Sequence, residues 1–147
     1  MEPITARNGN ESCHVRVVHD TDDVLKHPGV DTIEGWACPL IFGETMLAQS
    51  VEMPAGISVP EHPEPVECMV YTVRGHWVLS VGGEKHLMSP GSLHWLDEGA
   101  MAGCEVPFDE PALVVNFIRI RSAKGGLEQT AAPAVCVKNV RVVARNV

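Results

Sequence analysis

The sequence predicts an all-β fold, a sandwich or barrel, and three observations carry the prediction. Thirteen glycines and 11 prolines are scattered through the 147 residues as turn punctuation and are not gathered into a linker. The apolar runs between them are short and rich in Val, Ile and Thr. Seven such runs follow one another at the spacing that sandwiches and barrels use. In chain order, residues 1–12 are polar and are expected to form a loose N-terminal segment. His14-Val15-Arg16-Val17-Val18-His19 alternates like a half-buried strand, and Asp20 to Gly29 reads as a charged loop or a single helical turn. Strands are expected at about 36–42, 45–53, 66–73, 76–81, 84–88, 92–96 and 111–121. Val81-Gly82-Gly83-Glu84 has the chemistry of a two-residue hairpin turn, and Ser89-Pro90-Gly91-Ser92 that of a second tight turn. After Ser122 the chain changes to Ala-Lys-Gly-Gly and then to a Val-rich ending from Val135 to Val143. The organisation expected is a barrel over 13–122, followed over 123–147 by a connector and a C-terminal edge strand that pairs with a second copy in a homodimer.

Composition narrows the function. A chain of this length with 45% hydrophobic residues supports one domain with one core. The formal net charge of -8, with no Lys/Arg cluster, argues against nucleic acid as a partner. No run of 18 apolar residues and no basic-then-apolar N-terminus is present, so a cytoplasmic protein without a membrane partner is expected. The five cysteines, at 13, 38, 68, 104 and 136, form no CxxC pair and suit reduced thiols better than a disulfide framework or a zinc ribbon. No dinucleotide fingerprint, phosphate-binding loop or Ser-His-Asp order is found, so no nucleotide cofactor is expected.

The chemistry concentrates between Gly56 and Gly75. In Pro60-Glu61-His62-Pro63-Glu64-Pro65-Val66-Glu67-Cys68, the side chains of His62, Glu64 and Cys68 share one parity along an extended strand and so can face one way. The frame is Gly56, five residues, His62-x-Glu64, three residues, Cys68, six residues, Gly75. It resembles the first motif of the cupin superfamily, which places His-x-His and a glutamate in that frame. Pro90-Gly91-Ser92, the Leu93 to Leu96 run and Asp97-Glu98-Gly99 resemble the second motif. The resemblance covers roughly residues 45–120 and implies a double-stranded β-helix, the cupin jelly-roll barrel. It also implies four metal ligands, of which His62 is retained. Glu64 stands at the second histidine position, Cys68 at the glutamate position, and Ala102 near the final histidine.

Three readings of this face remain open. In one, His62, Glu64 and Cys68 hold a divalent metal, iron, zinc, manganese or nickel, with an open position for substrate. Cys104, two residues beyond Ala102, joins them only if a bulge shortens a strand separation of about 6.7 Å, and His94 is the other candidate ligand. In the second, Glu64 and His62 are a metal-free acid/base pair and Cys68 is either a nucleophile or a packed side chain. In the third, the barrel only binds a small molecule or serves as an accessory protein, with Trp36, Trp77, Trp95, Tyr71, Phe42 and the methionines as pocket or core. Glu67 is placed outward by parity, and Arg119 and Arg121 are expected on the outer face. His76 and His86, flanking the Gly-Gly turn, are assigned no role. Glu61, Glu64 and Glu67 make the mouth acidic, which disfavours an anionic substrate. The sequence thus points to a small cupin-type enzyme acting on a small organic molecule by lyase, isomerase, cyclase or oxygenase chemistry, the alternative being a metal-free binding or accessory protein.

Overall fold

A computed structural model describes residues 4–8, 11–20, 29–120 and 141–143. Every regular element among them is a strand: β1 Ile4–Asn8, β2 Glu11–Val15, β3 Gly29–Thr32, β4 Gly35–Phe42, β5 Met46–Met53, β6 Ser58–Pro63, β7 Cys68–Arg74, β8 Trp77–Val81, β9 Glu84–Met88, β10 Leu93–Leu96, β11 Met101–Glu105, β12 Ala112–Arg119 and β13 Arg141–Val143. All pairings are antiparallel and build a seven-stranded sheet, β10-β7-β12-β5-β4-β3-β13, a four-stranded sheet, β6-β11-β8-β9, and a separate β1-β2 hairpin. The seven expected runs coincide with β4, β5, β7, β8, β9, β10 and β12 to within about two residues. Among the described residues, no helix is long and apolar enough to cross a membrane.

Alternation along each strand decides what enters the core. On the larger sheet, Val51 and Met53 of β5, Cys68 and Val70 of β7, Leu96 of β10, and Ala112, Val114 and Ile118 of β12 face inward. The smaller sheet contributes Val59, Trp77, Leu79, Met88, Ala102 and Cys104 to the same cluster. Each fully buried Val, Leu or Met adds about 1.5–3 kcal/mol, so this shared face holds the two sheets together. Trp77 also donates its ring N–H to Thr72 Oγ1 at 2.9 Å, which satisfies the indole deep in the barrel. The Gly82-Gly83 turn joins β8 to β9 with positive φ at both residues, 58° and 82°, as a two-residue hairpin requires. At Gly75, φ is 77° and an added Cβ would lie 2.5 Å from Pro111 O, so both the turn and the close approach exclude a side chain.

Two expectations at the N-terminus change. Ile4–Asn8 pairs residue for residue with Glu11–Val15, so the stretch read as loose contains a hairpin. A two-stranded ribbon is held by backbone bonds, which leave no alternating apolar pattern for the sequence to show. The strand placed at His14–His19 therefore lies earlier, at Glu11–Val15, and Arg16 beyond it donates to Phe42 O at 2.7 Å. At the other end, β13 pairs with β3 of the same chain, Val142 opposite Val30, and forms one edge of the larger sheet. Residues 21–28 and 121–140, which hold the charged loop and the connector, lie outside the described residues.

Candidate functional site

The site begins with a bulge. In the β6–β11 pair, Ala102 stands opposite His62 but Cys104 stands opposite Val59, so three steps on β6 match two on β11. The additional residue breaks the alternation and lets both Val59 and His62 turn toward the barrel interior. Only glycine fits across from it: a Cβ on Gly103 would lie 2.5 Å from Val59 O and 2.8 Å from Glu61 N. The bulge brings Pro60 O to 3.0 Å from His62 Nδ1. That bond makes Nδ1 a donor to the backbone and aims Nε2 away from it, toward the interior. Glu61, on the bulge, accepts the Gly83 N–H at 3.1 Å and ties this segment to the β8–β9 turn.

Two carboxylates converge on Nε2. Glu64, 4% exposed, is fixed through its backbone: its N–H donates to Ala100 O at 2.8 Å and its carbonyl accepts the Gly99 N–H at 2.7 Å. Glu34 arrives from the two-residue turn between β3 and β4, which the Thr32 hydroxyl clamps by accepting the N–H groups of Glu34 and Gly35, both at 3.1 Å, while donating to Gly35 O at 2.9 Å. His62 Nε2 is 3.5 Å from Glu34 Oε1 and 4.0 Å from Glu64 Oε1, with side-chain exposures of 11% for His62 and 13% for Glu34. Nε2 is buried and has no hydrogen-bond partner among the described residues. One ligand atom from each residue lies within 4.8 Å of the other two. These separations exceed hydrogen-bond length but approach the ~3.3–3.6 Å between ligands of a tetrahedral ion held at about 2.0–2.2 Å. The donor set fits a divalent cation. Thr32→Val is expected to free the turn and weaken divalent-ion binding about 10-fold, read by calorimetric titration, with little change in melting temperature.

Glu34 and Glu64 also line a cavity of about 50 Å³, whose other polar groups are Cys68, His94, Cys104 and Asn116 and whose remainder is apolar side chains such as Val51, Val70 and Leu79. Of the expected set of His62, Glu64 and Cys68, the structure brings two members together. His62 and Glu64 come together, but Glu34 is the third member of the group, and Cys68 lies outside it. Burial first, and then the charges of Glu64, Glu34 and Glu67, push the Cys68 thiol up to about 12, so it stays protonated and packs as an apolar group. Burial likewise raises the Cys104 thiol. The bulge once considered for Cys104 exists, yet it repositions His62 and Cys104 stays outside the group, as does His94. Ala102, at the expected fourth position, faces His62 across the strand pair. Glu67 is directed away and accepts the Trp95 ring N–H at 2.8 Å. Of the aromatic residues, Trp77 lines the cavity, Trp36 is buried in a second cluster, and Trp95 and Tyr71 are exposed. His86 is exposed and His76 stacks edge-on against Phe108.

His94 leans on Trp77, ring centroids 5.6 Å apart, and burial lowers its pKa from 6.5 to about 4. The unfolded chain therefore takes up a proton at this residue before the folded chain does. Its contribution is complete above pH 6.5, declines as the pH falls toward 4 and is level below, for a total of about 3 kcal/mol. His94→Phe is expected to remove this part of the acid sensitivity in urea unfolding compared at pH 7 and 4.5.

Glu34 is the residue that sequence reasoning missed. Its only signal is Thr32 and Gly35 bracketing a two-residue turn, which marks a hairpin but not the barrel mouth over which that hairpin folds.

No family model and no curated protein matches the sequence. Solved structures do. The cupin domain of Schizosaccharomyces pombe Cnp3 is 17% identical over 81% of this chain and 84% of that one, with a TM-score of 0.62. KdgF from Halomonas sp. is 20% identical over 67% of this chain and 84% of its own, with a TM-score of 0.53. DMSP lyase DddQ from Ruegeria pomeroyi DSS-3 is 19% identical over 67% of this chain and 49% of its own, with a TM-score of 0.50. The chain has the jelly-roll fold of the cupin superfamily.

Proposed function

We propose that this protein is a small cupin-fold enzyme acting on a small organic molecule, with a divalent cation held at the barrel mouth by Glu34, His62 and Glu64. One observation carries the reading: with Nδ1 bonded to Pro60 O, the buried Nε2 faces two carboxylates and makes no hydrogen bond among the described residues. One imidazole and two carboxylates suit zinc, iron or manganese. Bound there, such an ion supplies Lewis acidity toward a carbonyl or hydroxyl oxygen of the substrate. The chain does the rest by placement. Pro60 sets the imidazole, Thr32 sets Glu34, the Ala100 and Gly99 bonds set Glu64, and the apolar wall of Val51, Val70, Leu79 and Val114 excludes water from the reacting end. The presence of a DMSP lyase among the similar structures supports an enzymatic reading of the lyase kind. Protein purified without chelator or nickel resin is expected to carry, or take up in titration, about one equivalent of zinc, manganese or iron. Less than about a tenth of an equivalent after titration overturns the proposal.

A further inference from the structure

The cavity has a second polar feature, on its floor. His94 on β10 stands opposite Val70 on β7, and Val70 stands opposite Asn116 on β12. The two polar residues thus flank Val70 in one row across the inner face of the larger sheet, their backbones about 9–10 Å apart. Both line the cavity. Asn116 is 6% exposed, and neither its Oδ1 nor His94 Nδ1 has a hydrogen-bond partner among the described residues. Buried polar atoms in that condition are rare in folded chains, and two on one cavity wall point to an occupant.

The chemistry of the two atoms selects the occupant. Asn116 Oδ1 can only accept, so it requires a donor. The buried His94 ring, neutral at ordinary pH, offers one donor and one acceptor. A hydroxyl group satisfies both. A carboxylate brings only acceptors to Asn116 and meets Glu34 and Glu64 on the same cavity wall, where no Lys or Arg stands among the described residues. An ammonium can only donate, which serves Asn116 Oδ1 but His94 Nδ1 in one tautomer alone, whereas a hydroxyl serves Nδ1 in either. A volume of about 50 Å³ admits roughly three or four water-sized groups, which is a two- or three-carbon fragment.

We propose that His94 and Asn116 form a subsite for a hydroxyl group of a small neutral polyhydroxyl substrate, whose remaining oxygens lie toward Glu34, His62 and Glu64. This deepens the reading of the mouth as an ion centre and rests on it for the orientation of the substrate. The test is ligand-observed NMR with ethane-1,2-diol, ethanolamine and acetate as probes, on the full chain with and without zinc. The diol is expected to bind saturably to the wild type and in preference to the other two. Asn116→Leu and His94→Phe, each near the original volume, are expected to weaken diol binding at least about fivefold, the worth of one neutral hydrogen bond. Zinc affinity of both variants should stay within about twofold of wild type, since neither residue belongs to the group at the mouth. Unchanged diol binding in either folded variant, tighter binding of acetate or ethanolamine, or no saturable diol binding by the wild type overturns the proposal. Should one variant fail to fold, the other decides. If the wild type takes up no zinc yet binds the diol with the same dependence on Asn116 and His94, the subsite stands and the ion centre falls. Zinc uptake without diol binding gives the reverse.

Discussion

Glu34→Gln is expected to cost at least about 100-fold in zinc or manganese affinity, the upper end of what losing even a supporting partner of a ligand costs, whereas Cys68→Ser leaves that affinity within about twofold. The pair of variants separates two ligand sets. By spacing along the strand, Cys68 shares a face with His62 and Glu64. By position in the barrel, its thiol is outside the group that Glu34 completes. A thiolate would be the stronger soft donor, but burial beside Glu64 and Glu34 holds Cys68 in its neutral form, which is a poor ligand. Glu34 Oε1 sits 3.5 Å from the imidazole and belongs to the group. Calorimetric titration of the two variants beside wild type, at one pH and with folding checked by circular dichroism, reads the difference directly. A large loss in Cys68→Ser with none in Glu34→Gln would return the site to the linear motif.

Gly103→Ala is expected to lower both stability and ion affinity, by about 2–4 kcal/mol for the fold in urea unfolding, as overpacking against backbone does. The added methyl would meet Val59 O, Glu61 N and Pro60 C, none of which is the end of a flexible side chain. Relief requires β6 to move away from β11, and that movement carries Pro60 O away from His62 Nδ1. Once Nδ1 loses its acceptor, the ring is free to turn and to exchange tautomers. Ion affinity should therefore fall by about 10-fold or more even at temperatures where the variant is fully folded. A variant that is destabilised but binds the ion as the wild type does would show that the bulge has no part in orienting His62.

These cases show what the sequence makes legible. The glycine frame from Gly56 to Gly75, the Gly82-Gly83 turn and the alternating runs are local features, and local backbone chemistry is enough to place the strands and the barrel. His62 and Glu64 were legible for the same reason, being two residues apart on one extended segment. Glu34 was not, since it reaches His62 from a hairpin 28 positions away whose direction is set by packing between sheets. The bulge opposite Gly103 was also hidden: a register shift belongs to a pair of strands and leaves no mark in either one alone. Parity places Cys68 on the face of His62 and Glu64, but it says only which way a side chain points and nothing about how far its neighbours stand.

The hairpin that presents Glu34 has one further consequence. Its first strand, β3, is bonded on one side to β4 and on the other to β13, near the end of the chain. The residue that completes the mouth is thus braced by backbone made more than a hundred positions later. During synthesis the barrel can close around its core while that brace is still unmade, because β4, β5, β7 and β12 are contiguous without it. β13 can add to β3 only after the rest of the sheet has been synthesised, so the hairpin that carries Glu34 gains its outer neighbour last.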